Sequence, residues 1–194
     1  MWIALSILAV AAAVVLVGCQ VTRAGYESAP YQVVRASGKF TVRDYPALQM
    51  VETPMSSAGN SDDGSFGRLF RFITGANAAE EKIAMTTPVF MSGSESNATM
   101  AFVLPAKLQA DAVPKPSDAT VTVRELPAGR FAVLRFSGGR SAQHDAEALG
   151  RLRAWMQAES LKELSPPVYG YFDPPWTPGF LRRNEVMVRT PAAR

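Results

Sequence analysis

The chain opens on an apolar run from Met1 to Val17, interrupted only by Ser6, and no charged side chain occurs before Arg23. Beyond Pro30 the pattern changes to short alternating stretches bounded by turn residues. Thr41-Val42-Arg43-Asp44-Tyr45-Pro46-Ala47 returns 81 positions later as Thr122-Val123-Arg124-Glu125-Leu126-Pro127-Ala128. Five of the seven residues are identical, and the acid is kept in kind. In each copy one alternating stretch enters a Pro-Ala turn and a second leaves it, as Leu48 to Glu52 and as Arg130 to Phe136. Period-two alternation about a turn predicts strand, turn, strand in both places.

A helical stripe follows each pair. Phe66, Leu69, Phe70 and Ile73 stand at i, i+3, i+4 and i+7, with Ser65 or Asp63 to cap the start and Gly75 to end it. Leu149, Leu152, Trp155 and Met156 mark a longer helix from Ser141 to Leu164, closed by Pro166-Pro167. Two further strands then follow in each half, Ile83 to Met91 and Thr99 to Leu104, then Val168 to Phe172 and Glu185 to Arg189. The fold class is therefore α+β: duplicated β-β-α-β-β halves, joined by the Pro-containing Ala112 to Ala119. Two such halves, fused about a common axis, form a distorted β-barrel with two helices outside and a ligand cleft between them.

The first segment changes the picture of where the domain sits. It is long enough to cross a bilayer and also suits a cleaved signal. Leu16-Val17-Gly18-Cys19 resembles the bacterial lipobox, with Cys19 as the lipid acceptor, although no Lys or Arg precedes the apolar stretch. Residues 1–18 are thus a signal peptide or membrane anchor, 19–30 a tether, and 31–190 the folded domain. The expected location is the cell envelope, as a membrane-anchored lipoprotein facing the periplasm.

Composition removes much chemistry. Of 194 residues one is Cys and one is His, which excludes an intrachain disulfide and a multi-His metal site. Net charge is +3, with basic residues scattered and Arg182-Arg183 the lone adjacent pair, so no nucleic-acid stripe is present. No serine sits in a nucleophile elbow, and no Gly-rich loop opens a helix, so catalytic residues are not assigned and the chain reads as a non-enzyme. His144, beside Asp145 at the start of the second helix, is either solvated or an axial haem ligand. Phe72, flanked by Arg68 and Arg71, is either packed on a loop or part of an aromatic surface for a flat ligand bearing carboxylates. Met50, Met55, Met85 and Met91 either line an adaptable pocket or fill core gaps.

Several local patterns then coincide. Ile73-Thr74-Gly75-Ala76-Asn77, Lys82-Ile83-Ala84-Met85-Thr86-Thr87-Pro88-Val89 and Met100-Ala101-Phe102-Val103-Leu104-Pro105 occur in order. They precede Gly170-Tyr171-Phe172-Asp173-Pro174-Pro175-Trp176-Thr177-Pro178 and Arg182-Arg183-Asn184-Glu185-Val186. Together these resemble the SOUL haem-binding family from about Tyr31 to Thr190. The resemblance implies a duplicated distorted barrel, similar to small-molecule effector-binding domains. It also implies haem or a related tetrapyrrole as ligand, bound in some members without a strong protein ligand to iron. Carried onto this chain, the implied contacts are Phe66, Leu69, Phe70 and Ile73 on the first helix. Arg68 or Arg71 would serve as carboxylate partners, and Met85 and Tyr171 lie in matched motifs. Asn184 and Glu185 open the last strand, so one of them faces inward, and a nearby Arg suits a fold-holding network. A membrane-tethered carrier or scavenger of haem is the expectation, and an envelope protein binding another apolar small molecule or lipid is the alternative.

Overall fold

The computed structural model describes residues 25–56, 63–93, 97–108 and 110–192. The expected signal or anchor segment, Cys19 and most of the expected tether lie outside the described residues. The strands are β1 (Glu27–Ser28), β2 (Gln32–Ser37), β3 (Phe40–Tyr45), β4 (Leu48–Pro54), β5 (Thr86–Thr87), β6 (Val89–Ser92) and β7 (Thr99–Val103). The second half supplies β8 (Thr122–Leu126), β9 (Gly129–Phe136), β10 (Val168–Tyr171) and β11 (Asn184–Thr190). The helices are α1 (Ser65–Ile73) and α2 (Ala142–Ala158). Among the described residues, no helix is long and apolar enough to cross a membrane.

Nine strands form one antiparallel sheet in the order β2-β3-β9-β11-β10-β6-β7-β4-β8. Setting β2 aside and exchanging equivalent strands of the two halves turns this order into its own reverse. The duplication is thus a pseudo-twofold, with its axis between β6 and β10. The ladder registers agree: Tyr45 pairs with Gly129 and Leu48 with Leu126, and each pair becomes the other under the 81-residue offset.

The sheet also corrects the expected hairpins. β3 pairs with β2 and β9, and β8 pairs with β4, so neither Pro-Ala turn joins ladder partners. Each half instead lends its first strand to the other half. The physical constraint is the link itself. From Tyr45 to Leu48 the chain reaches at most roughly 11 Å at about 3.5 Å per residue, yet β3 and β4 lie near opposite ends of the sheet. Only a strongly curled sheet brings those ends together, which gives the expected distorted barrel by a different pairing.

Two boundaries also differ. The expected strand from Ile83 to Met91 is divided at Pro88, which has no N–H for a ladder. The part before it, β5, turns away to pair in parallel with β1. Residues 27–29 of the expected tether are thereby held on the domain, with Ala29 buried and its N–H donated to Thr87 O at 2.9 Å. The second helix ends at Ala158, not Leu164. Ser160 takes φ 55°, and Leu161 N–H reaches back to Met156 O at 2.8 Å, which turns Leu161 into the core. α1 ends in the same way through Gly75 at φ 119°, with Ala76 N–H donated to Arg71 O at 2.9 Å.

Both helices lie on the convex face. Leu69, Phe72 and Ile73 of α1 pack on Val51, Met100 and Phe102. Ala148, Leu152 and Met156 of α2 pack on Leu134, Val186 and Val188. The concave face packs its own side chains together, among them Tyr45, Phe131, Val133 and Met187, and leaves a cavity beside Met50 and Phe90.

Candidate functional site

On α1 the buried side is turned from the expected stripe. Ser65, Leu69, Phe72 and Ile73 are buried, while Phe66 and Phe70 are 42% and 46% exposed. Ser65 is the cause: it is small enough for the helix start to approach the sheet, and its hydroxyl lies 3.7 Å from Met100 Sδ. Phe72 is therefore core, not surface, and the aromatic surface is the stacked pair Phe66–Phe70, whose ring centroids are 5.9 Å apart.

That pair faces the strands between the helices. Phe66 meets Phe102 edge-on at 5.1 Å. Phe102 is the ladder partner of Val89, and Val89 is the partner of Tyr171. One residue row thus crosses β7, β6 and β10 on the convex face, and Met100, Met91 and Tyr169 form the next row. Met85, Val89 and Met91 are half-buried against the α1 cluster. α1 covers β4 and β7 and α2 covers β9 and β11, which leaves β6 and β10 as the floor of a groove. From β7 to β11 is three strand spacings, roughly 14 Å at about 4.8 Å each.

The far wall is polar. Tyr171 O–H donates to Asp145 Oδ2 at 2.7 Å, and the Arg140 guanidinium lies 5.4 Å from the Tyr171 ring centre. Burial pushes the Asp145 carboxyl above the usual carboxylate range, against the pull of the Tyr171 hydrogen bond and the Arg140 charge. Burial, with the Asp145 charge beside it, also raises the Tyr171 phenol well above its ordinary value, so it stays a donor. His144 is exposed at the start of α2, with Nδ1 3.0 Å from Gly139 O.

The structure therefore brings Phe66, Phe70 and Tyr171 to one groove and leaves Leu69 and Ile73 beneath it, while Met85, which precedes β5, packs half-buried on the α1 cluster. It puts the two arginines elsewhere. Arg68 Nε donates to Thr53 Oγ1 at 3.0 Å and Nη2 to Pro54 O at 2.6 Å, on the opposite flank of α1. Arg71, beside it, is 4.0 Å from Asp118 Oδ2. These arginines line a separate cavity of about 290 Å³ with Phe72, Pro116, Asp118 and Val121. Sequence reasoning missed Phe102, Val89 and Arg140 as groove residues. The i+3/i+4 rule placed the Phe pair, but cross-sheet neighbours follow from register alone.

Two other features frame the site. Glu185 is buried between two guanidiniums, accepting from Arg43 Nη1 and Nη2 at 2.7 and 3.1 Å and from Arg183 Nη2 at 2.7 Å. Burial opposes the Arg43 charge, and the Glu185 carboxylate outweighs it, raising the pKa further. Tyr31 covers Arg43 at 4.2 Å. This is the fold-holding network expected of Glu185. The 81-residue counterpart of Arg43 is Arg124, which instead borders an open cavity of about 350 Å³ with Met50, Glu52, Phe90 and Val168. Among the described residues no cluster of His, Cys, Asp and Glu is arranged to hold a metal ion.

Comparison with known proteins adds the family. The model of the SOUL heme-binding protein family matches residues 26–189. Heme-binding protein 2 of Homo sapiens is 30% identical over 75% of this chain and 76% of its own length. In fold, the chain is similar to the EcmrR C-terminal domain, at 13% identity, covering 84% of this chain and 99% of that one with a TM-score of 0.56. It is also similar to an uncharacterized conserved protein from Listeria innocua, at 8% identity, 78% and 92% coverage and a TM-score of 0.58.

Proposed function

This chain belongs to the SOUL heme-binding protein family, and from that premise we propose that it binds haem or a related tetrapyrrole in the groove between α1 and α2. Membership supports tetrapyrrole binding as such. The observation that supports this groove is the stacked, half-exposed Phe66–Phe70 pair beside the Phe102–Val89–Tyr171 row. The porphyrin plane lies against the Phe pair and the floor residues Val89 and Met91. Its carboxylates point toward Arg140 at the far wall, since a guanidinium suits a carboxylate in fork geometry.

The protein acts as a carrier or scavenger rather than an enzyme. Burying roughly 400 Å² of apolar porphyrin at about 25 cal/mol/Å² contributes on the order of 10 kcal/mol. Association costs of about 4 kcal/mol leave about 6 kcal/mol, an affinity of tens of micromolar from apolar burial alone, and the carboxylate contacts tighten it toward micromolar, which suits pick-up and release. Residues 1–18 serve as signal or anchor and Cys19 as the lipid attachment point, tethering the domain at the envelope membrane with the groove on the periplasmic side.

Haemin titration of residues 20–194, followed at the Soret band, tests the reading. Saturable one-to-one binding near micromolar affinity is expected. A linear, non-saturating response refutes it and directs attention to another apolar ligand.

A further inference from the structure

The loop between β10 and β11 satisfies its polar groups and leaves its largest apolar ones outside. Arg182 donates from Nε to Thr177 O at 2.7 Å and from Nη2 to Pro175 O. Arg183 N–H donates to Asp173 Oδ2 at 2.6 Å, and Gly138 N–H to Gly179 O at 3.0 Å. Thr177 is buried. Yet Trp176 and Phe180 are 78% and 77% exposed, the most open large apolar side chains among the described residues. A loop this well fixed holds the two rings in water by construction, and burial in the domain core is closed to them.

Their place in the fold supplies the occupant. The loop leaves the sheet after Tyr171, whose ladder partner is Val89. Val89 follows β5, and β5 carries β1 beside it, so the chain enters the domain at the same end of the sheet. Between Gly18, the end of the uncharged apolar run, and Gly25 lie seven peptide steps, at most roughly 25 Å of chain. A domain on so short a lead cannot stand far from the membrane that holds the run. Exposed Lys39, in the turn whose carbonyl accepts from Arg135 N–H, adds a cation at this end. Trp with a neighbouring aromatic and flanking cations is the composition of a membrane–water boundary.

We propose that Trp176 and Phe180 form a second membrane contact, dipping into the headgroup layer and fixing the domain with its β10–β11 loop toward the bilayer. The inference rests on the membrane-anchored reading of the first 18 residues. The groove between the helices adjoins the same end through Tyr171, so this orientation brings the tetrapyrrole site next to the lipid surface.

The test uses the full chain carrying Trp2→Phe and Trp155→Phe, which leaves Trp176 as the sole indole of three. It is reconstituted into mixed phosphatidylglycerol and phosphatidylcholine vesicles, with or without lipids brominated high on the acyl chain. Contact at a depth of about 5–10 Å predicts blue-shifted emission and about twofold quenching by bromine. Phe180→Ser should weaken both. If the core does not tolerate Trp155→Phe, the difference between wild type and Trp176→Phe gives the same readout. Emission of a hydrated, unquenched indole on a chain that floats with the vesicles overturns the contact and leaves the anchor standing. A chain that does not float overturns both. A blue shift without bromine quenching also overturns the proposal, in favour of a second copy or another protein covering the loop.

Discussion

Removing the aromatic wall of the groove, Phe66→Ala with Phe70→Ala, should weaken haemin binding about thirtyfold. The magnitude follows from exposure. An aromatic side chain carries roughly 200 Å², so 42% and 46% exposure leaves about 90 Å² of each ring open. A flat ligand lying along the pair covers about half of that total, roughly 90 Å², which at about 25 cal/mol/Å² is worth about 2 kcal/mol. At about 1.4 kcal/mol per decade, that is the thirtyfold loss. The fold should survive, because half-exposed rings cost less to remove than buried ones, for which Phe→Ala costs about 3–5 kcal/mol. Soret-monitored titration gives the affinity, and near-ultraviolet circular dichroism checks the fold. Arg71→Ala is the control: it alters the opposite flank of α1 and should leave affinity within about twofold, as expected for an exposed cation outside the contact. A folded double-alanine variant that binds like wild type refutes the groove. So does an Arg71→Ala variant weaker than the double alanine, which moves the ligand to the cavity beside Asp118.

Other perturbations separate the framework from the site. Glu185→Gln leaves the buried Arg43 guanidinium, with the half-buried Arg183 beside it, facing a neutral amide and should lower stability to urea by about 3 kcal/mol; a loss below about 1 kcal/mol would show that the network is dispensable. Asp145 binds its proton more tightly folded than unfolded, because burial raises its pKa above 3.8. Its contribution to stability is full below that value and is lost as pH rises through the higher folded value. Wild type should therefore lose stability relative to Asp145→Asn as pH rises above 3.8, and the opposite slope contradicts the burial argument. His144→Ala should leave the visible spectrum of bound haem unchanged, since the proposed contact is apolar; an altered spectrum identifies the imidazole as an iron ligand.

Much of the architecture was legible because it is locally encoded. Alternation located most of the strands, Gly75 ended α1, and the 81-residue repeat announced two equivalent halves. The hairpins were misread because a Pro-Ala turn looks the same in sequence whether its flanking strands zip together or separate across a curled sheet. Ser160 ends α2 as a glycine would, a role for which serine gives no local sign. On α1, four apolar positions matched the stripe, and only the approach of Ser65 to Met100 decided which two would be buried.

The sequence by itself determined the class of fold, the duplication, the helix-borne aromatics and the family pattern, since each follows from spacing along one segment. Tertiary structure alone decided the exchange of β3 and β8 between halves and the separation of the Phe pair from Arg68 and Arg71. It alone placed Phe102, Val89 and Tyr171 in one row. The physical reason is that a groove is made of ladder partners. Partnership between strands is fixed by how the whole sheet curls to bury its faces, a quantity that no single stretch of chain carries.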